Sequence, residues 1–452
     1  VRDAAYESLL KEKRRAVHAR ILTAMEADTD AAPEVLAVHA EEANLTDRAI
    51  DLWEKAAKVA IARPAFDEGM AHLRHAIALL TPKVDGGDRD SLERCLAMQT
   101  QLGLASMAGN GFGSDQTKSA WIGALALADE VGETPLRFSI LYGLMITRYI
   151  RGDHIEAVRH GQVLVDLAER STDTAHSVVA NRSFAISLMF SGQIERAQAY
   201  FDRALNLFNP DKHHGLAHLY GVDLAIGSHG FICLNLLISG ETQRAVKVFQ
   251  DGERYAEKCS DVNSKSYLQM IGTLMNVVTG NSAEMKRHAE RMIDLSEQYK
   301  LPFFESHSAL SQAFLRAESG DSAAIANFSR IDEATEVSKA LAFLPFWRVE
   351  AGCHALALGL CDEAAQLAAL AQKMMDETGE NMWRSNLHRL NSELARADGN
   401  GEDAERHLYD ALAVARQQGA NLFELRAAID LARLMQEQER TDEAIAILKP
   451  VS

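Results

Sequence analysis

Apolar and polar positions along this chain follow a helical period almost throughout. Between Gly192 and Ala204, the residues Ala197, Phe201 and Ala204 fall at i, i+4 and i+7, one stripe of an α-helix that must face a neighbour. The pattern then recurs. Turns built on glycine, each followed by a helix-forming run, stand at Gly152, Gly192, Gly240, Gly280, Gly320, Gly359 and Gly399, at intervals of 40, 48, 40, 40, 39 and 40 residues. Five residues after each glycine comes a mostly small residue: Ala157, Ala197, Ala245, Met285, Ile325, Ala364 or Ala404. Ala444 keeps the phase where Glu439 takes the glycine's place. Seven residues before the glycine stand Ala185, Cys233, Thr273, Ala313, Gly352 and Ser392, with Met145 the exception.

Two small slots per unit mean that two antiparallel helices approach closely. The arrangement resembles the tetratricopeptide repeat, whose paired helices meet through a small residue on the first helix and an alanine on the second, with glycine between them. The period is longer than that family's ~34 residues, so each helix gains nearly a turn. HEAT-like repeats share a ~40-residue unit, and the glycine-plus-five alanine phase is what favours the tetratricopeptide kind. The expected fold is all-α, a right-handed α-solenoid of about ten tetratricopeptide-like helix pairs. Helical patterns at 44–60 and 63–80, with Pro33 and Pro64 at helix starts, place the first repeats upstream, from about residue 31. The stretches 81–90 and 109–113 read as loops between helices.

Composition supports this. Hydrophobic residues are 47% of the 452, aromatics only 6%, and prolines number 8, the economy of a chain made of helices. The 64 acidic against 47 basic residues leave a formal charge of −17, which repels phosphate backbones and anionic lipid, so no nucleic acid and no membrane partner is expected. No apolar run approaches the ~18 residues of a span. Five cysteines without a C-x-x-C pair read as reduced thiols, and a cytoplasmic location is expected. The chain starts at Val1 with no leader and stops just after a helical pattern, which reads as a fragment.

The ends resemble a known family. Val1, Tyr6, Leu10, Arg14, Arg15, His18 and residues 24–26 look like the junction, in large bacterial signalling ATPases, that closes the winged-helix part of a STAND-type, AAA-like module and leads into repeats. Further matches are Asn209, Pro210, His213, 219–223, 387–390, 421–428 and 431–434. The sequence departs from the family at Leu224-Ala225, where Pro-Gly is usual, and at Asn391-Ser392, where Lys-Gly is usual. The resemblance implies that residues 1–30 end the preceding ATPase module, its partner in cis, and that 31–452 form the repeat array. It implies a parent in signal transduction that binds ATP and a divalent metal in upstream domains, commonly fused to a class III adenylate/guanylate cyclase. This region would then be its regulatory, protein-interaction and sensor part, taking a protein or small-molecule effector on its concave surface. Two other readings stay open: the inducer-sensing domain of a STAND-type transcription regulator, and a free-standing scaffold.

Catalytic chemistry is not expected in the chain itself. It has no G-x-x-x-x-G-K-[ST], G-x-S-x-G, H-E-x-x-H or EF-hand loop, so no catalytic residue and no cofactor is assigned, and the fragment is not read as an enzyme. The 48-residue interval inserts about eight residues, with Asp211, His213, His214, His218, Asp223 and His229 in this region. His214 and His218, at i and i+4, could share a metal on a helix, or lie in a solvated loop; His72 and His75 read the same way. The expected concave face carries Tyr142, Ile146, Tyr149, Ile186, Met189, Leu234, Leu237, Tyr267, Met270 and Phe314. Either these line a groove for an apolar helix or small ligand, or the long helices bury them in core. A groove for a peptide's carboxylate would place Lys, Arg and Asn there, which argues against that mode. The basic residues Arg2, Lys11, Lys13, Arg14, Arg15 and Arg20 read as a solvated face or a contact with the upstream module.

Overall fold

The computed structural model describes residues 11–27, 31–63, 65–213 and 220–450; His214, His218, Pro64, Arg2 and most of the family-like opening lie outside them. Among these residues the chain forms 23 helices and no strand. It divides into two compact units, 1–144 and 145–452. The first holds α1 (Lys11–Glu26), α2 (Pro33–Glu42), α3 (Thr46–Ala62), α4 (Phe66–Asp85), α5 (Arg89–Gly109) and α6 (Asp115–Val131), and the division falls within α7 (Arg137–Ile150). Alanine and leucine dominate its core, and Trp121 fills the space that side chains on Gly103 and Gly143 would need.

In the second unit the helices alternate as A and B members of pairs. The A helices are α9 (Thr174–Phe190), α12 (Leu224–Ile238), α14 (Val262–Thr279), α16 (Pro302–Glu318), α18 (Leu344–Ala357), α20 (Arg384–Ala397) and α22 (Asn421–Glu437). The B helices are α8 (His154–Glu169), α10 (Ile194–Leu207), α13 (Thr242–Lys258), α15 (Ser282–Tyr299), α17 (Ala323–Ser338), α19 (Cys361–Thr378), α21 (Gly401–Gln418) and α23 (Thr441–Leu448). The short α11 (Pro210–His213) belongs to the long interval. Each A helix packs on its own B helix and on the next A helix, the stacking of a solenoid.

The turns explain the repeat phase. All seven expected glycines have left-handed backbone, from φ 71° at Gly280 to 91° at Gly240, and Glu439 adopts the same conformation at φ 61°. The next N–H then reaches back five residues, as Gln193 does to the Leu188 carbonyl (2.9 Å) and Arg440 to that of Met435 (2.8 Å), which closes the A helix. Five residues on, Ala157, Ala197, Ala245, Met285, Ile325, Ala364, Ala404 and Ala444 are all buried. The small slots meet: Ser392 Oγ donates to the Ala404 carbonyl at 2.9 Å, and a Cβ on Gly352 would lie 3.5 Å from the Ala364 carbonyl. The chain is an all-α solenoid of tetratricopeptide-like pairs.

The second unit also meets itself far along the sequence. The last carbonyls of a helix lack intrahelical partners, and for α7, α9 and α12 the starts of later repeats supply them. Leu341 N–H donates to the Ile150 carbonyl (2.8 Å), Asn381 N–H to that of Phe190 (2.8 Å), and Asn421 Nδ2 to that of Ser239 (2.9 Å). Phe343 and Trp383 enter with these loops. Phe343 packs on Phe190 at 4.9 Å between ring centroids and on Phe231 at 5.8 Å. His154 Nε2 lies 3.2 Å from Glu380 Oε2, 226 positions away, with both side chains inaccessible to solvent. Among the described residues no helix is long and apolar enough to cross a membrane.

Candidate functional site

The structure places nearly all of the expected concave-face residues in the interior. Tyr142, Ile146, Ile186, Met189, Leu234, Leu237, Tyr267, Met270 and Phe314 are buried; Tyr149 is half-buried and stacks on Phe190 at 5.9 Å. The Tyr267 hydroxyl accepts the Phe231 N–H at 3.1 Å inside this packing, and burial pushes its pKa far up. In the second unit the returning loops explain part of this: residues on the inner side of α9, α12 and α14 become core. The described histidines of the long interval are engaged locally. His213 bonds to Thr174 Oγ1 (2.9 Å) and accepts the Asn209 N–H (3.0 Å), His229 Nδ1 donates to the Ala225 carbonyl (2.6 Å), and Asp223 caps α12. His72 and His75 pack against Trp53, and His75 Nε2 lies 2.7 Å from Glu41 Oε2.

A different surface remains open. Three successive A helices, α18, α20 and α22, wall a cavity of about 480 Å³. Its residues recur at helical spacing: Val349, Glu350, Cys353 and Leu356 on α18, Asn386, Arg389 and Glu393 on α20, and Arg426 and Asp430 on α22. The small slot on α18, Gly352, holds the neighbouring helices close and leaves Glu350 and Cys353 facing this space. The volume suits a small ligand of a few tens of atoms at most.

The charges in this cavity are unequally satisfied. Arg389 Nε donates to Asp430 Oδ2 at 2.6 Å, a closed pair. The Arg426 guanidinium donates to the Val278 carbonyl at the end of α14. Burial first, and the neighbouring Arg389 second, disfavour its positive charge. Glu350 has the opposite problem: burial pushes its carboxyl up to about 7, against the pull of Arg426 and Arg389. The Asn386 side-chain oxygen Oδ1, in a residue 5% exposed, has no hydrogen-bond partner. The cavity thus presents acceptors at Glu350 and Asn386 and donors at Arg426 and Arg389, the complement of a ligand with both an ammonium or amide donor and an anionic acceptor.

Two signals for this arrangement stand in the sequence. Asn386 and Arg426 are one repeat apart, as are Glu350 and Arg389, so polar residues recur at inner positions of the last three A helices. The expected concave face stopped at Phe314, where the pattern is still apolar. Phe303, Phe343, Trp383 and Phe423 likewise recur every 40 residues and mark the start of each later A helix.

No family model matches the chain. It is 23% identical over 447 residues to the uncharacterized protein R02095 of Rhizobium meliloti strain 1021, covering 96% of this chain and 43% of that protein, so it spans less than half of its relative's length. Among solved structures it is similar to a Rap protein complexed with competence and sporulation factor. That match has a TM-score of 0.53 at 12% identity, over 82% of this chain and 98% of that one. The apo form of RapI aligns with a TM-score of 0.44 at 12% identity, over 83% and 98%. The Rap match shows the helical repeat fold.

Proposed function

We propose that this chain is the effector-sensing, non-catalytic repeat region of a longer signalling protein, and that the effector enters the cavity between α18, α20 and α22. The observation that carries this reading is the unsatisfied polarity there: Glu350 is held toward its neutral form, Arg426 is disfavoured as a cation, and the Asn386 oxygen is unpaired. A fold spends stability to keep such groups, and ligand contacts repay it. Arg426 also holds the end of α14 through the Val278 carbonyl. A carboxylate that draws the guanidinium into the cavity releases that carbonyl, so occupancy shifts the balance between two arrangements of the second unit. The Rap protein that shares this fold was solved in complex with competence and sporulation factor, a helical array holding a bound factor. In this reading the upstream partner is the STAND-type ATPase module that the opening residues resemble, with ATP and a divalent metal bound there and an adenylate/guanylate cyclase domain as output, in the cytoplasm.

The test is equilibrium dialysis of the chain against a defined mixture of free amino acids and di- and tripeptides, with retained species identified by mass spectrometry. The reading predicts retention of a zwitterionic species by the wild type and its loss, at least tenfold, in Glu350→Gln and in Arg426→Ala. Retention of nothing, or equal retention by all three proteins, contradicts it. For the output, the longer protein is assayed for cyclic nucleotide formation from ATP and GTP with and without the retained species; no change in any output contradicts the regulatory role.

A further inference from the structure

The opposite side of α20 carries a second cluster that the cavity does not use. His388 on α20 faces His407 and Asp410, which are three residues apart on one face of α21. Each offers a ligating atom, all within 4.8 Å of one another, and all three side chains are half-buried. The two Nδ1 atoms stand 3.4 Å apart. That is long for a hydrogen bond, whose usual range ends near ~3.2 Å. Two nitrogens bound at ~2.05 Å to one tetrahedral ion stand about 3.3 Å apart. The His18–His39 pair in the first unit shows the contrast: its Nδ1 atoms are 2.8 Å apart, a hydrogen-bonding distance, and no third ligating group completes a cluster there among the described residues.

We propose that His388, His407 and Asp410 bind a divalent transition-metal ion, Zn²⁺ above all, through two imidazole nitrogens and one carboxylate oxygen, with water in the fourth position. Nitrogen-rich donors select Zn²⁺ and Co²⁺ over Mg²⁺ and Ca²⁺. Burial holds both imidazoles below the usual histidine range, in the neutral form that ligates metals. One neighbour competes. Arg406 lies 3.7 Å from Asp410 Oδ2 and 3.5 Å from His407 Nε2, although its closer partner is Asp403 at 2.9 Å. A His407 that binds metal through Nδ1 carries its proton on Nε2, so the guanidinium swings fully to Asp403 when the ion arrives. The ion then clips an A helix to its own B helix directly behind the wall that carries Asn386 and Arg389.

The experiment uses the whole chain, stripped of metal, titrated with Co²⁺ for its visible absorption and then with Zn²⁺ in competition. The proposal predicts a tetrahedral Co²⁺ spectrum displaced by one equivalent of Zn²⁺. Affinity falls tenfold or more in His407→Ala and in Asp410→Asn, rises severalfold in Arg406→Ala, and is unchanged in the His214→Ala/His218→Ala double variant. Asp410→Asn keeps the shape of a half-exposed side chain, so its loss of binding is read in a folded protein, checked by circular dichroism. No tetrahedral spectrum, affinity unchanged in His407→Ala and Asp410→Asn, or binding lost only in the His214→Ala/His218→Ala variant would overturn it.

Discussion

The A helices of the second unit share one repeat pattern yet end in two kinds of surroundings. Every residue of α12 is buried, and so are 14 of the 17 in α9. In α20 only Ser385, Asn386, Leu387, Leu390 and Ser392 are buried, and α22 keeps a polar side. The difference comes from where the chain returns. Loops leading into α18, α20 and α22 cap the carbonyls of α7, α9 and α12 and bring Phe343 and Trp383 into their midst, while the later helices border a cavity instead. An apolar stripe on a solenoid helix is therefore no guide to a groove until its covering partner is known; charge left unsatisfied is a better one.

Substitutions in the two regions sharpen that contrast. Phe190→Ala empties the centre of the enclosed region, where the ring touches Tyr149, His154, Phe231 and Phe343. It should cost about 3–5 kcal/mol in urea unfolding; a cost below about 1 kcal/mol would mean the interior is not packed as described. Gly230→Ala should cost about 1–3 kcal/mol, because the new Cβ would overlap the Tyr267 hydroxyl. Its measurement is the same denaturant midpoint, and a neutral result would show that Tyr267 moves freely.

A smaller effect depends on pH. His307 is buried with no partner on either ring nitrogen, and burial lowers its pKa to about 4. The unfolded chain then binds the extra proton first. Stability owed to this group is complete above about pH 6.5 and declines as pH falls toward 4. His307→Leu should remove that decline, so the variant gains on the wild type between pH 7 and pH 5 in thermal unfolding. A constant difference across that range would contradict the neutral buried ring.

Much of the architecture was legible in the sequence because the turn glycines and small slots impose local rules: left-handed backbone at Gly192 and close helix approach at Ala197 or Gly352 follow from residue type alone. The closure between Phe190 and Phe343 was not legible, since it joins residues some 150 positions apart that no local rule connects. That closure moved part of the expected concave face into core. The cavity was partly legible, through the one-repeat spacing of Asn386 and Arg426, but its imbalance needs three helices in place before Glu350 is seen to lack a donor.

The central claim is that Glu350 in the cavity serves a ligand and not the fold. The reference is a charge that does serve the fold: Arg348, two residues before Glu350, is buried with Asp332 at 2.9 Å and donates to the Leu370 carbonyl at 3.1 Å. Urea unfolding of Glu350→Gln beside Arg348→Ala, at pH 5 and pH 8, tests the claim most directly. Because the folded pKa of Glu350 lies above its unfolded value, this carboxyl costs stability as pH rises from about 4.5 through 7. The account predicts that Glu350→Gln is neutral at pH 5 and stabilising at pH 8, while Arg348→Ala loses about 3–5 kcal/mol. A loss in Glu350→Gln comparable to that of Arg348→Ala would place Glu350 in the structural framework and contradict the account.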